Sequence, residues 1–284
     1  FIPVVAGNVF MEDSIPNIPE ITERQSMWTQ GYTIFDPCNT NKAGNQTRNC
    51  SQKKRRENST TGVYEIYIRD DPVNVRCDMD SDGGGWTVIQ RQSEDEKNVT
   101  FFERNMEDYR SGFGTAEGSF WIGLERLHAL TSFPNGPQAL RIDMTRSDGF
   151  RRSRVVHYNK FHVGSEGENY KLTIDEYDNT KSTSHDAMSG QNGTGFTVNL
   201  DTEAKQEFSC FKKTLTGGWW FKVGKCNYAN LNGRKLDFVG PKTWPRGIAW
   251  YETEDTKSYE YRYDKVEMKI RDADFGFCTG SKKS

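Results

Sequence analysis

Asp78, Asp80 and Asp82, followed by Gly83, raise the first chemical question. That spacing would supply the early ligands and the tight turn of an EF-hand calcium loop. Such a loop closes on a bidentate glutamate, and here Ile89 stands in its place. A cysteine opens the stretch and neither flank has a helical period, so an EF-hand is not expected. What remains is a glycine loop, Gly83-Gly84-Gly85, free to take positive φ, that feeds an apolar run from Trp86 reading as a buried strand.

Other reactive residues are sparse. His157 and His162 stand five apart, which does not put two ligands on one face of a strand or helix, and His128 reads as a partly buried helix residue. There is no Gly-x-Ser-x-Gly, no His-Glu-x-x-His and no phosphate loop, because Gly224-Lys225 runs into Cys226. Glu252 and Glu254 read as solvated loop charges, and no enzymatic activity is expected. Six cysteines, an even number without Cys-x-x-Cys spacing, favour disulfides over zinc. Glycosylation acceptor patterns occur at Asn45, Asn58, Asn98 and Asn192, with a poorer one at Asn49 whose middle residue is Cys50. Together with the cysteines they point to a secreted, extracellular glycoprotein. A first residue of Phe1 rather than Met fits a mature or trimmed form.

The elements that must position these residues come next. A chain of 284 residues can form one large domain or two small ones. Aromatics at 13% and 26 glycines suggest a loop-rich fold whose core leans on rings. A net charge of −2 gives no case for nucleic acid or an acidic membrane, and no apolar run is long enough to span a bilayer. The pattern predicts strands over 62–68, 73–77, 140–144, 155–161, 170–177 and 259–271. It predicts a helix over 101–109, begun by a Thr100/Glu103 capping box and ended before Gly112, and a second over 123–130. Lys53-Lys54-Arg55-Arg56 reads as a solvated loop, with a processing site or polyanion patch as alternatives. Residues 1–37 read as a proline-bearing arm, and the irregular stretch 184–250 as the loops that carry binding.

Taken together, Cys77-Asp78-Met79 and Gly83-Gly84-Gly85-Trp86-Thr87-Val88-Ile89-Gln90-Arg91 resemble the signature of the fibrinogen-related C-terminal domain. Thr61-Gly62-Val63-Tyr64, Phe120-Trp121-Ile122-Gly123-Leu124, Gly217-Gly218-Trp219-Trp220-Phe221, Asn230-Leu231-Asn232-Gly233 and Gly247-Ile248-Ala249-Trp250 continue the pattern in order. The resemblance covers roughly 49–273. It implies an α+β fold: a single globular domain over 49–274 with a twisted, mainly antiparallel sheet, short helices and long binding loops, stapled by disulfides. An extended segment or linker, 1–48, precedes it, and a tail, 275–284, follows. The resemblance further implies the pairs Cys50–Cys77 and Cys210–Cys226. It also implies neighbouring termini, hence a Cys38–Cys278 staple, with pairing between chains as the rival. Many relatives trimerise through a stalk; oligomerisation stays open, although no stalk is seen.

In the ficolins and tachylectins of this family an aspartate-rich run holds calcium beside a pocket for acetyl groups. The matching positions here are Leu200, Thr202 and Ala204, with Asp201 and Glu203 displaced by one residue, so calcium has only these two weak candidate ligands and no other cofactor is expected. In the pocket, Asn227, next to Tyr228, replaces a histidine, Thr214 replaces a tyrosine, and Trp244-Pro245 replace a tyrosine-alanine pair. Tyr259 supplies an aromatic wall, whereas Trp219 and Trp220 read as core. The resulting expectation is a secreted, non-enzymatic recognition module for an extracellular protein receptor. The alternative is an innate-immunity-type lectin for acetylated glycans with weak or absent calcium dependence.

Overall fold

The computed structural model describes residues 46–133, 135–147, 153–198, 215–226, 228–240, 243–255 and 257–278. Helix α1 (Cys50–Arg56) leads into β1 (Gly62–Ile68), β2 (Asp71–Asp78) and β3 (Trp86–Gln92). Then come α2 (Met106–Ser111), β4 (Phe113–Gly114), β5 (Phe120–Trp121), α3 (Leu124–Thr131), β6 (Gln138–Arg146), β7 (Ser153–Val163) and β8 (Leu172–Tyr177). The short pairs β9 (Thr197–Val198) with β10 (Gly218–Trp219) and β11 (Ala229–Asn230) with β12 (Ala249–Trp250) precede β13 (Tyr263–Asp272) and α4 (Phe275–Cys278).

The main sheet runs β1-β2-β3-β13-β6-β7-β8, all antiparallel, and β5 adds to the edge of β3 beyond the end of β2. This is the α+β architecture that the resemblance implies. Strands β3 and β13 lie at its centre, and every residue of β3 is buried. A strand covered on both faces needs its polar side chains satisfied inside. Gln90 and Gln92 accordingly donate their amide N–H groups to the carbonyls of Leu231 and Gly233 at 2.8–3.0 Å, tying the loops of the C-terminal half to the sheet.

The hairpin turn between the two first strands falls at Arg69-Asp70, and both residues take positive φ. That is the paired left-handed geometry whose twist matches flanking strands. Helix α2 begins at Met106 rather than Phe101. Asn105 caps it by accepting from Asp108 N–H at 2.8 Å, while Phe102 turns inward to meet Phe113. The basic run 53–56 is not a loop but most of α1. Its cations sit in the last turn, where they complement the carbonyl end, and Lys53 pairs with Glu57 while Arg55 reaches Asp272 and Asp274.

The aspartates of the glycine loop are consumed structurally. Asp78 accepts from the N–H groups of Asp80 and Ser81 and pairs with Lys269. Asp80 accepts from the Thr61 hydroxyl, and Asp82 from Arg271. Three different partners pull them apart, so they do not converge on an ion. At Gly84 φ is +80°, and a Cβ would lie 2.2 Å from the Met79 carbonyl oxygen, so the loop can double back only with glycine there. Lys269, at 1% exposure, is held between Asp78 and Asp143. Burial raises the Asp78 carboxyl, but the charge and hydrogen bond of Lys269 outweigh it and hold the group well below the usual carboxylate range.

The Cys50–Cys77 disulfide is present, with Cα atoms 5.6 Å apart. Cys226 is also disulfide-bonded. Cys38 and Cys210 lie outside the described residues, and Cys278 ends α4. Among the described residues no helix is long and apolar enough to cross a membrane.

Candidate functional site

The residues expected to bind fall into three groups. Asp201, Glu203, Thr214 and Asn227 lie outside the described residues. Trp244 and Pro245 form a short 3-10 turn, Trp244–Arg246, anchored where the Arg246 carbonyl accepts from Thr216 Oγ1 and Arg234 N–H. Tyr228 and Tyr259 are brought into one assembly, and the residue that joins them is Tyr251.

The local sequence explains the juxtaposition. Ala229 pairs with Trp250 across β11 and β12, so the flanking Tyr228 and Tyr251 become neighbours, with Tyr251 N–H donating to the Tyr228 carbonyl at 2.7 Å. Their rings are 4.8 Å apart at 32°, and Tyr251 stacks on Tyr259 at 5.1 Å and 26°. Tyr259 rides on the 3-10 turn Ser258–Glu260, whose buried Ser258 hydroxyl accepts from Glu252 N–H. Lys225 caps the other end, its ammonium 5.6 Å from the Tyr228 ring centroid.

Glu252 is not the solvated loop charge that the sequence suggested. It is 8% exposed, accepts from the Ser184 hydroxyl at 2.8 Å and lies 3.5 Å from Arg154, so it braces the tier from below while Glu254 stays outside. Trp250 is buried beneath the same strand pair and donates to the His185 carbonyl.

All three tyrosines are half-buried. Burial, then the nearby hydroxyls of Tyr251 and Tyr228, push the Tyr259 phenol up to about 12, so it is a neutral donor and acceptor at physiological pH. The tier offers flat apolar faces edged by hydroxyls and one cation. It has the means to stack and hydrogen-bond. Tyr251 went unnamed at the level of sequence. The available signal was its place directly after Gly247-Ile248-Ala249-Trp250, where strand alternation turns the next side chain away from the core.

The acceptor asparagines Asn58, Asn98 and Asn192 are exposed, and Asn45 lies outside the described residues. Asn49 is 4% exposed, caps α1 and donates to Asp272, which removes it as a glycan site.

Among known proteins, tenascin-R of Gallus gallus is 36% identical over 239 residues, 83% of this chain and 16% of its own length. Ryncolin-4 of Cerberus rynchops is 34% identical over 80% of this chain and 61% of its own. The chain therefore spans a small part of the tenascins and less than two thirds of ryncolin-4. Among solved structures, the fibrinogen-like globe domain of human ANGPTL2 matches with a TM-score of 0.67 and 31% identity, covering 79% of this chain and 98% of that one. A lamprey fibrin D-dimer in complex with a Gly-His-Arg-Pro-amide peptide matches at 0.66 with 25% identity, over 86% and 79%. A sequence model for the C-terminal globular domain of fibrinogen beta and gamma chains matches residues 46–273, and the chain belongs to this family.

Proposed function

We propose that this chain is a secreted, non-enzymatic recognition domain that binds an extracellular protein partner through the tyrosine tier of its C-terminal loops. The observation that carries the reading is the stack of Tyr228, Tyr251 and Tyr259 with Lys225 at its edge, held half-open by a buried brace. Tyrosine is enriched at protein interfaces because a large amphipathic ring is immobilised at little entropic cost. The lamprey relative was solved with a peptide ligand, so a peptide partner is compatible with this fold. Thr214, Asn227, Trp244 and Pro245 are proposed as further contributors, and Asp201 and Glu203 as the residual calcium candidates.

Aromatic faces also stack on sugar rings, which keeps an acetylated glycan as the second reading. The test is selection of a displayed random peptide library on the wild-type domain, with Tyr228→Ala and Tyr259→Ala domains as counter-screens. Peptides that bind wild type and lose binding to both variants support the proposal; peptides indifferent to both sink it. Parallel thermal unfolding with N-acetylglucosamine, with and without calcium, decides the second reading, since a ligand that binds only the folded state raises the midpoint.

A further inference from the structure

One acceptor asparagine is placed by the fold beside the tyrosine tier. Asn192 follows the 3-10 turn Ser189–Gln191 and opens the pattern Asn192-Gly193-Thr194. Buried Gln191 donates from Nε2 to the carbonyl of Ala229, the residue after Tyr228, at 2.8 Å. Gly190 lies against Lys225, since a Cβ built on it would fall 2.7 Å from Lys225 Cδ. The Asn192 carbonyl accepts from Lys222 Nζ at 3.3 Å, and Lys225 N–H closes a turn onto the Lys222 carbonyl at 2.9 Å. Lys225 in turn is the cation beside the Tyr228 ring. Asn192 therefore stands one turn of chain from the edge of the tier.

Its side chain is turned outward at the reacting atom. Oδ1 accepts from the Ile174 N–H of β8 at 3.1 Å, which directs that oxygen onto the sheet edge and sets Nδ2, the atom that carries sugar, on the other side of the amide. Asn192 and Gly193 are both exposed, and no described atom comes within 4 Å of a Cβ built on Gly193. Attachment at Nδ2 leaves the Oδ1 bond intact, so the root of the chain is held in place.

We propose that an N-linked oligosaccharide on Asn192 overhangs the Lys225 edge of the tier and screens it from macromolecular partners, so that modification of one residue sets access to the surface. The inference rests on the reading of the tier as the binding surface. The link forms by group transfer: Nδ2 loses a proton and bonds to the anomeric carbon of the sugar. The bond from that carbon to the pyrophosphate of a lipid-linked donor breaks, and the lipid pyrophosphate leaves with the electron pair. A bulky, hydrated chain rooted here excludes a protein surface while small solutes pass. Asn98 supplies the control, because its Oδ1 accepts from the N–H and hydroxyl of Thr100 within the loop after β3.

The experiment expresses the full chain in a secreting eukaryotic host as wild type, Thr194→Ala and Thr100→Ala. Thr194→Ala abolishes the acceptor pattern yet keeps Asn192 and its bond to Ile174. Peptide mass should show sugar on Asn192 in wild type and none in Thr194→Ala. Lys225 is then labelled with an amine-reactive polyethylene glycol polymer and, separately, with acetic anhydride. The polymer should react at Lys225 at least about threefold faster in Thr194→Ala than in wild type, and Thr100→Ala should match wild type. The small reagent should react equally in all three, and equal unfolding midpoints verify folding. This readout needs no partner, so it is decided apart from the peptide selection above: absence of tier-directed peptides sinks the binding reading while the labelling still reports the screen. Peptides that require Tyr228 should bind Thr194→Ala at least about threefold more tightly than wild type. An unmodified Asn192 in wild type, a polymer rate indifferent to Thr194→Ala, or Tyr228-dependent peptides that bind both alike overturns the proposal.

Discussion

The molecule builds two aromatic assemblies from similar residues for opposite ends. In the closed one, Tyr109, Trp121, Phe196 and Trp220 are fully buried, and steep contacts, such as 86° between Phe196 and Trp220, alternate with tilted ones. Its polar handles point inward: Trp121 Nε1 donates to the Tyr109 carbonyl, Trp220 Nε1 to that of Tyr170, and the Tyr109 hydroxyl to that of Phe102 while accepting from Gly218 N–H. In the open one, Tyr228, Tyr251 and Tyr259 lie nearly parallel and half-buried. Edge-to-face contacts fill a volume, whereas a flat stack leaves an area free. Burial and the direction of the polar handles thus separate residues that hold the fold from those available to a partner.

The largest expected effects sharpen this contrast. Trp220→Ala removes a fully buried ring and should lower unfolding free energy by about 3–5 kcal/mol, whereas Tyr251→Ala should lower it by about 1 kcal/mol or less. Urea unfolding of both measures the gap, and equal losses would erase the distinction. Lys269→Met tests the polar counterpart of the closed side. It leaves the buried Asp78 without its cation, while Asp143 keeps Arg141, and should lose about 3–5 kcal/mol by the same assay.

His157 is the weak point of the closed region. It is 1% exposed, meets Trp86 edge-on at 5.7 Å, and neither ring nitrogen has a hydrogen-bond partner among the described residues. Burial, followed by the charge of Lys181, pushes it from 6.5 down to about 4. Its folded value is the lower, so its contribution is fully present above pH 6.5 and is lost as pH falls towards 4, when the unfolded chain takes up a proton that the folded one refuses. The loss should reach about 3 kcal/mol, read from urea midpoints, and His157→Asn should flatten that limb of the profile. The smallest effect belongs to the open side. Tyr259→Phe should move stability by only a few tenths of a kcal/mol, yet remove one late-titrating phenol from an ultraviolet pH titration.

Much of the scaffold was legible in sequence. Period-two runs located most main-sheet strands, and the glycine loop with the motifs after it pointed to the fold. Boundaries slipped where a local cap decided them, as Asn105 does for α2. The candidate site was harder to read, because its joining residue acquires its role only through pairing. Tyr251 becomes a neighbour of Tyr228 through the β11–β12 bridge, Glu252 is buried by Ser184, and Lys269 meets Asp78 across 191 residues of chain. No periodicity carries such partners.

The placement of β13 sets a timetable for synthesis. The last strand of the sheet is inserted between β3 and β6, so the two flanking groups of strands have no shared ladder until residues 263–272 leave the ribosome. Before then the nascent domain consists of two sets of strands with exposed inner edges, a state prone to wrong pairing. Cys50 and Cys77, only 27 residues apart, can link much earlier and secure α1 to the first hairpin during the wait. Folding is therefore all-or-none: a ribosome-held chain ending before Tyr263 should stay protease-sensitive throughout, and release of the final ten-residue strand should protect the whole domain at once.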